Sequence, residues 1–167
     1  MFAECKKYLL QKLQAAGMEK PYTTIKSLSL AKDSHVSAVI ADKETFERNG
    51  SKKIYTDDGG SRHKRRKLLD RAMGFDVIIG DYTDEKAETT FETFIASLDD
   101  GLYVNGNYVT IDIGEAEWAA KDDSILQSKL AVNVRITFNG GVYRDTDFAK
   151  VADADVQAEK GDTNGNQ

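Results

Sequence analysis

The sequence predicts an α+β fold: a mostly antiparallel sheet with two helices packed on one face and a long strand or hairpin projecting from the body. Three observations carry this. Residues 2–16 and 83–98 repeat apolar side chains at helical spacing. Residues 61–82 and 126–138 instead alternate with a period of two, as half-buried strands do. Between them Asn105-Gly106 sits inside GLYVNGNYVTIDI, the strongest short-range hairpin signal.

The first helix rests on Phe2, Cys5, Leu9, Leu13 and Ala16, with Leu10 beside them. Gly17 follows, where a C-terminal cap belongs, and Pro21 keeps the helix from resuming. The Thr-rich segment 22–34 is open between a short strand and a loop. HVSAVIA (35–41) is apolar at nearly every position, which suits a short strand covered on both faces. DKETFERNG is expected to break that strand, with Asn49-Gly50 as a turn. KKIYT (52–56) is a strand candidate, closed by the turn Asp57-Asp58-Gly59-Gly60.

From Ser61 to Tyr82 runs the longest extended segment. Leu69, Met73, Phe75, Val77 and Ile79 share one parity, interrupted by Arg71. Thr83 is a good N-cap for the second helix, and Asp84 and Glu85 complement its dipole. Ala87, Phe91, Phe94, Ile95 and Leu98 form its apolar stripe, and Glu85, Glu88 and Glu92 make its outer face acidic. After the hairpin, EAEWAAKDDS reads as a polar break. The last strand places Leu126, Leu130, Val132, Val134, Ile136 and Phe138 on one side, and Gly140-Gly141 is expected to end or kink it, with a brief continuation at Val142-Tyr143 left open. Residues 1–146 form the expected domain. Residues 147–167 read as a polar acidic tail, partly helical or flexible, with a short helix around 147–158.

Composition narrows the function. The chain has 167 residues and a formal net charge of −5, which argues against a surface coated in positive charge for general DNA binding. A single cysteine, Cys5, excludes an intramolecular disulfide and a structural zinc site, and it reads as a small buried hydrophobe. No stretch is long and apolar enough for a transmembrane helix, and MFAECKKYLLQKL is not expected to be a signal peptide. No GxSxG, P-loop or dinucleotide fingerprint occurs. Asp76, Asp81, Asp112, Glu115 and Glu117 suggest a metal-dependent hydrolase only weakly, because 28 of the 167 residues are acidic and chance groupings are expected. No catalytic residue, cofactor or metal is expected, and the chain is not expected to be an enzyme.

The feature that demands explanation is SRHKRRKLLDRAM, with six Lys or Arg residues in an acidic chain. On a strand, Arg62, Lys64 and Arg66 point one way, and His63, Arg65 and Lys67 the other. Both faces are charged, so this end is not expected to pack on its own core. Three readings stand: a solvated strand end, contact with acidic groups of a subunit or partner, or nucleic-acid contact. No aromatic residue interleaves the run, which removes the stacking half of a single-strand-binding surface. Arg62, His63, Lys64, Arg65, Arg66, Lys67 and Arg71 on one side, and Glu85, Glu88 and Glu92 on the other, are the candidate protein–protein interface. Opposite charges on two parts of one surface allow head-to-tail pairing, which closes into a ring when the rotation permits.

KRRKLLDRAMGFDVIIGDYTDEKAETTFETFIASL, followed by GLYVNGNYVTIDIGEAEWAAKDDSILQSKLAVNVRITFNGGVYRDT, resembles the tail terminator (tail completion) proteins of long-tailed phages and phage-tail-like particles. The resemblance spans residues 1 to about 146. It implies a structural role: a ring, typically a hexamer, on the head-proximal end of the tail tube. Such a ring ends polymerisation and presents a joining surface for a head or collar. The implied partners are further copies of the chain, the tail tube protein, a sheath protein where the tail contracts, and a head-connector or collar protein. No membrane is implied, DNA only passes through the lumen, and the implied location is a virion or phage-tail-like particle assembled in the bacterial cytoplasm. Another head–tail connector or neck protein, or a small nucleic-acid-binding module using residues 62–67, is the alternative.

Overall fold

The apolar spacing dictates where the helices and the inner strands form. The computed structural model describes residues 1–120 and 130–148. In α1 (Phe2–Ala15), Cys5, Leu9 and Leu13 are buried along one stripe. Gly17 has φ 96°, which favours glycine. Its N–H donates to Gln14 and that of Met18 donates to Leu13, at 3.1 and 3.0 Å, the paired bonds of a Schellman cap. Residues 22–34 hold a β-bridge from Tyr22 to Ala38 and the five-residue α2 (Ile25–Ser29). The Thr24 hydroxyl caps α2 by accepting from the Ser27 N–H, and only Leu28 is buried. A helix this short shows no periodicity, so its sequence left the segment open.

The six-stranded sheet comprises β1 (Val36–Arg48), β2 (Lys52–Thr56), β3 (Arg62–Asp81), β4 (Gly101–Val104), β5 (Asn107–Ala120) and β6 (Leu130–Asp147). Its order is β1-β3-β6-β5-β4, with β2 paired to β3, and every strand pair is antiparallel. With α3 (Asp84–Ala96), the chain is α+β and mostly antiparallel. Thr83 caps α3, its hydroxyl accepting from the Lys86 N–H at 3.3 Å. Asn105 and Gly106 have φ 49° and 73°, so both central residues of the β4–β5 hairpin are left-handed, as a type I′ turn requires.

Three strands run further than the sequence predicts. β1 does not stop at Ala41. It bulges between Ala41 and Glu44 and continues to Arg48 against Met73–Leu69 of β3. β5 continues through Glu115–Ala120, and β6 passes Gly140-Gly141 without ending. The common reason is exposure. The β1 extension and the β6 residues from Arg144 on are exposed on both faces, and the β5 extension has only Trp118 as a large apolar residue, set against Phe91, so the backbone ladder to a sequence-distant strand holds them. Leu126, and all of the expected 147–158 helix beyond Phe148, lie outside the described residues.

Two apolar clusters anchor the sheet. The larger joins Cys5, Leu9 and Leu13 of α1, Phe94 of α3, Met73–Ile79 of β3 at alternate positions, and Val132–Phe138 of β6 at alternate positions. Phe138 meets Phe75 and Tyr8 edge to face, with ring centroids 5.7 and 6.1 Å apart. The smaller joins Leu28, Val36, Ala38 and Ala131. Val39 belongs to the larger cluster and Ala38 to the smaller, so the first half of β1 is covered on both faces. Neither cluster contains any residue from 47 to 68 or from 139 to 147.

Candidate interface at the basic end of the sheet

The segment without core contacts is the basic one. Here the sheet narrows to β2, β3 and β6, paired as Lys52–Thr56 with Arg66–Arg62, and His63–Lys67 with Asp147–Tyr143. A bulge between Lys67 and Leu69 separates it from the body. The bulge matters because it reverses which side of β3 each parity occupies relative to β6.

His63, Arg65 and Lys67 are half-buried and tied to their own chain. Arg65 grips Asp145 with two parallel bonds, Nε to Oδ1 at 2.7 Å and Nη2 to Oδ2 at 2.6 Å, and donates to Asn107 Oδ1 at 2.9 Å. Its guanidinium lies 4.7 Å from the Tyr55 ring centroid, and the Tyr55 hydroxyl donates to the same Asp145. The Arg65 bonds hold the Asp145 carboxyl below its ordinary range. Lys67 pairs with Asp70, and Arg71 with Glu44.

His63 lies between two carboxylates, Nε2 at 2.9 Å from Asp57 and Nδ1 at 2.8 Å from Asp147. Both partners only accept, so both contacts are hydrogen bonds only when both ring nitrogens carry a proton. Asp57, then Asp147, raise the His63 pKa above its ordinary value. The imidazolium thus links the β2–β3 turn, the start of β3 and the end of β6. His35 is set similarly in the body, with Nδ1 2.9 Å from Asp81 and Nε2 3.3 Å from the Gly17 carbonyl. Burial lowers its pKa, Asp81 and Gly17 raise it, and the balance is upward.

Arg62, Lys64 and Arg66 face the other way and are exposed. Arg62 covers the Phe148 ring at 5.6 Å. Lys64 and Arg66 have no side-chain partner among the described residues. Register puts Lys52 and Arg144 directly across from Arg66 on its two sides. Three like charges therefore stand in one cross-strand row, an arrangement that destabilises a sheet locally. Arg144 shares β6 parity with Ile136 and Phe138, so the row continues the sheet face that carries the larger core. Lys52 and Arg144 were not among the sequence candidates. Arg144 becomes visible only once β6 is known to cross its glycine pair.

Glu85, Glu88 and Glu92 are exposed on α3, with no side-chain partner among the described residues. They are not brought together with the basic residues. α3 begins at the Asp81 end of β3, about 50 Å from Arg66 at ordinary strand rise, and returns over the sheet as far as Phe94 in the larger core.

Chemistry is sparse elsewhere. Among the described residues no cluster of His, Cys, Asp or Glu is placed to hold a metal ion. No described helix is long and apolar enough to cross a membrane. A cleft of about 550 Å³ is lined by His35, Asp81, Tyr82, Glu85, Lys86, Thr89 and Thr90, and its histidine is engaged at both nitrogens. Cys5 is fully buried, and burial raises its thiol pKa to about 11, the state of an inert core thiol. The chain matches no protein-family model and no curated protein.

Proposed function

We propose that this chain is a structural ring subunit, of the tail terminator kind, that caps the head-proximal end of a phage or phage-like tail tube. In this reading the ring, a hexamer, ends tube and sheath growth and offers the joining surface for a head or collar. The sheet forms the wall of each subunit, with α1 and α3 packed on one face. The β2–β3–β6 end is an arm that projects to a neighbour. One observation carries the reading: the most charged part of the sheet has a full backbone ladder but no share in either core. Strands without a hydrophobic face are marginal by themselves in water, so a contact outside the subunit adds to what Arg65 and His63 supply at this end.

Negative-stain imaging of the purified protein, alone and mixed with the tube subunit, tests the proposal. Rings and capped tube ends are expected. A monomer that leaves tubes unchanged overturns it.

A further inference from the structure

The two unpaired charge sets match each other in size. Lys52, Arg66 and Arg144 occupy three adjacent strands, about 10 Å from first to last at the usual inter-strand spacing. Glu85, Glu88 and Glu92 are spaced i, i+3, i+7, about 10 Å along the axis of α3 and within a stripe about 60° wide. Lys86, the one basic residue of α3, lies about 100° around the helix from Glu85. Within one chain the first set lies towards the Arg62 end of β3, and the helix that carries the second begins at the Asp81 end. That separation is several times the Debye length of about 8–10 Å, so neither neutralises the other.

We propose that the Lys52–Arg66–Arg144 row, extended by Lys64, docks on the Glu85–Glu88–Glu92 stripe of a second copy of this chain. The proposal rests on the ring reading above and names the contact that builds the ring. It also accounts for the row itself, since like charges held side by side are relieved by an anionic surface of matching length. The contact is heterologous, one end of each copy against the other end of the next, the geometry that closes into rings. A nucleic-acid strand is a poorer match for this face. Between the charged positions it carries Ile54, Thr56 and Thr146, and its neighbouring aromatic, Phe148, is already covered by Arg62.

Charge reversal separates the outcomes. R66E/R144E and E88K/E92K are each compared with wild type by sedimentation velocity and native mass measurement across a wide concentration range. Each variant alone is expected to need about a hundredfold more protein for half-assembly, because like charges now face each other. An equimolar mixture of the two restores assembly, since each arm then meets a stripe of opposite sign. E88K/E92K lies on an exposed helix face and decides the matter by itself if R66E/R144E fails to fold. Assembly of E88K/E92K at wild-type concentrations overturns the contact while leaving the ring intact. A wild-type monomer at every concentration overturns both the contact and the ring. Salt-dependent binding of a single-stranded or duplex oligonucleotide, lost in R66E/R144E while assembly persists, assigns the row to nucleic acid and overturns the contact with a second copy.

Discussion

The same face of β3 and β6 is a hydrophobic core at one end and a row of cations at the other. From Met73 to Ile79 and from Val132 to Phe138 the inward positions are fully or almost fully buried. Past the bulge, the positions continuing that face of β6 and its partners are Arg144, Arg66 and Lys52, all exposed. The hydrogen-bond ladder of β3 with β6 runs through both ends, broken only by the bulge at Lys67–Leu69. A strand ladder therefore needs no core beneath every residue once part of the sheet is anchored. What the uncovered end gains is a surface whose charge is free to be matched elsewhere.

The largest expected effect is in the body. Phe138→Ala is expected to cost about 3–5 kcal/mol, the usual range for a buried phenylalanine that leaves a cavity. Urea unfolding of the variant checks this, and a loss below 1 kcal/mol would mean that the core does not hold the sheet. At the basic end the largest single effect belongs to Arg65. Arg65→Ala removes the paired bonds to Asp145 and the Tyr55 stack, and costs about 1–2 kcal/mol, confined to the end of the sheet. Hydrogen exchange should show faster exchange at 62–67 and 143–147 and none at 75–79.

His63 sharpens the contrast through pH. Its folded pKa is raised, so its stabilisation is fully present below the unfolded value near 6.5 and is lost as pH rises through the folded value. Amide protection at 62–67 should fall across that rise, and His63→Gln should remove the pH dependence there. His35 follows the same sign in the body, so the variant, rather than the pH profile alone, assigns the effect. The smallest expected effect is that of Arg66→Gln. It relieves the like-charge row and stabilises the dilute subunit by about 0.2–0.5 kcal/mol, measured as a small rise in the urea midpoint.

Much of the body was legible in the sequence because its signals are local. Gly17 ends α1, Thr83 starts α3, Asn105-Gly106 turns the hairpin, and the alternation of Leu130–Phe138 marks β6. Hidden were the exposed extensions, Glu44–Arg48, Glu115–Ala120 and Arg144–Asp147, whose order comes from partners far along the chain. The interface was half legible for the same reason. Strand parity separated Arg62, Lys64 and Arg66 from His63, Arg65 and Lys67. Which set is free depends on Asp145 and Asp147, residues that lie past the apparent end of the pattern. The acids facing the second set come from its own chain, so the charge run is only partly available to a partner.

The most direct test is hydrogen exchange on the wild-type protein, compared between a dilute subunit and the assembled form. Protection is expected to rise at 52–66, 143–147 and 84–92, with exchange unchanged at 73–79 and 132–138. Gains confined to other segments, such as the β5 edge at 111–120, or no gain at any concentration, would contradict the proposed contact.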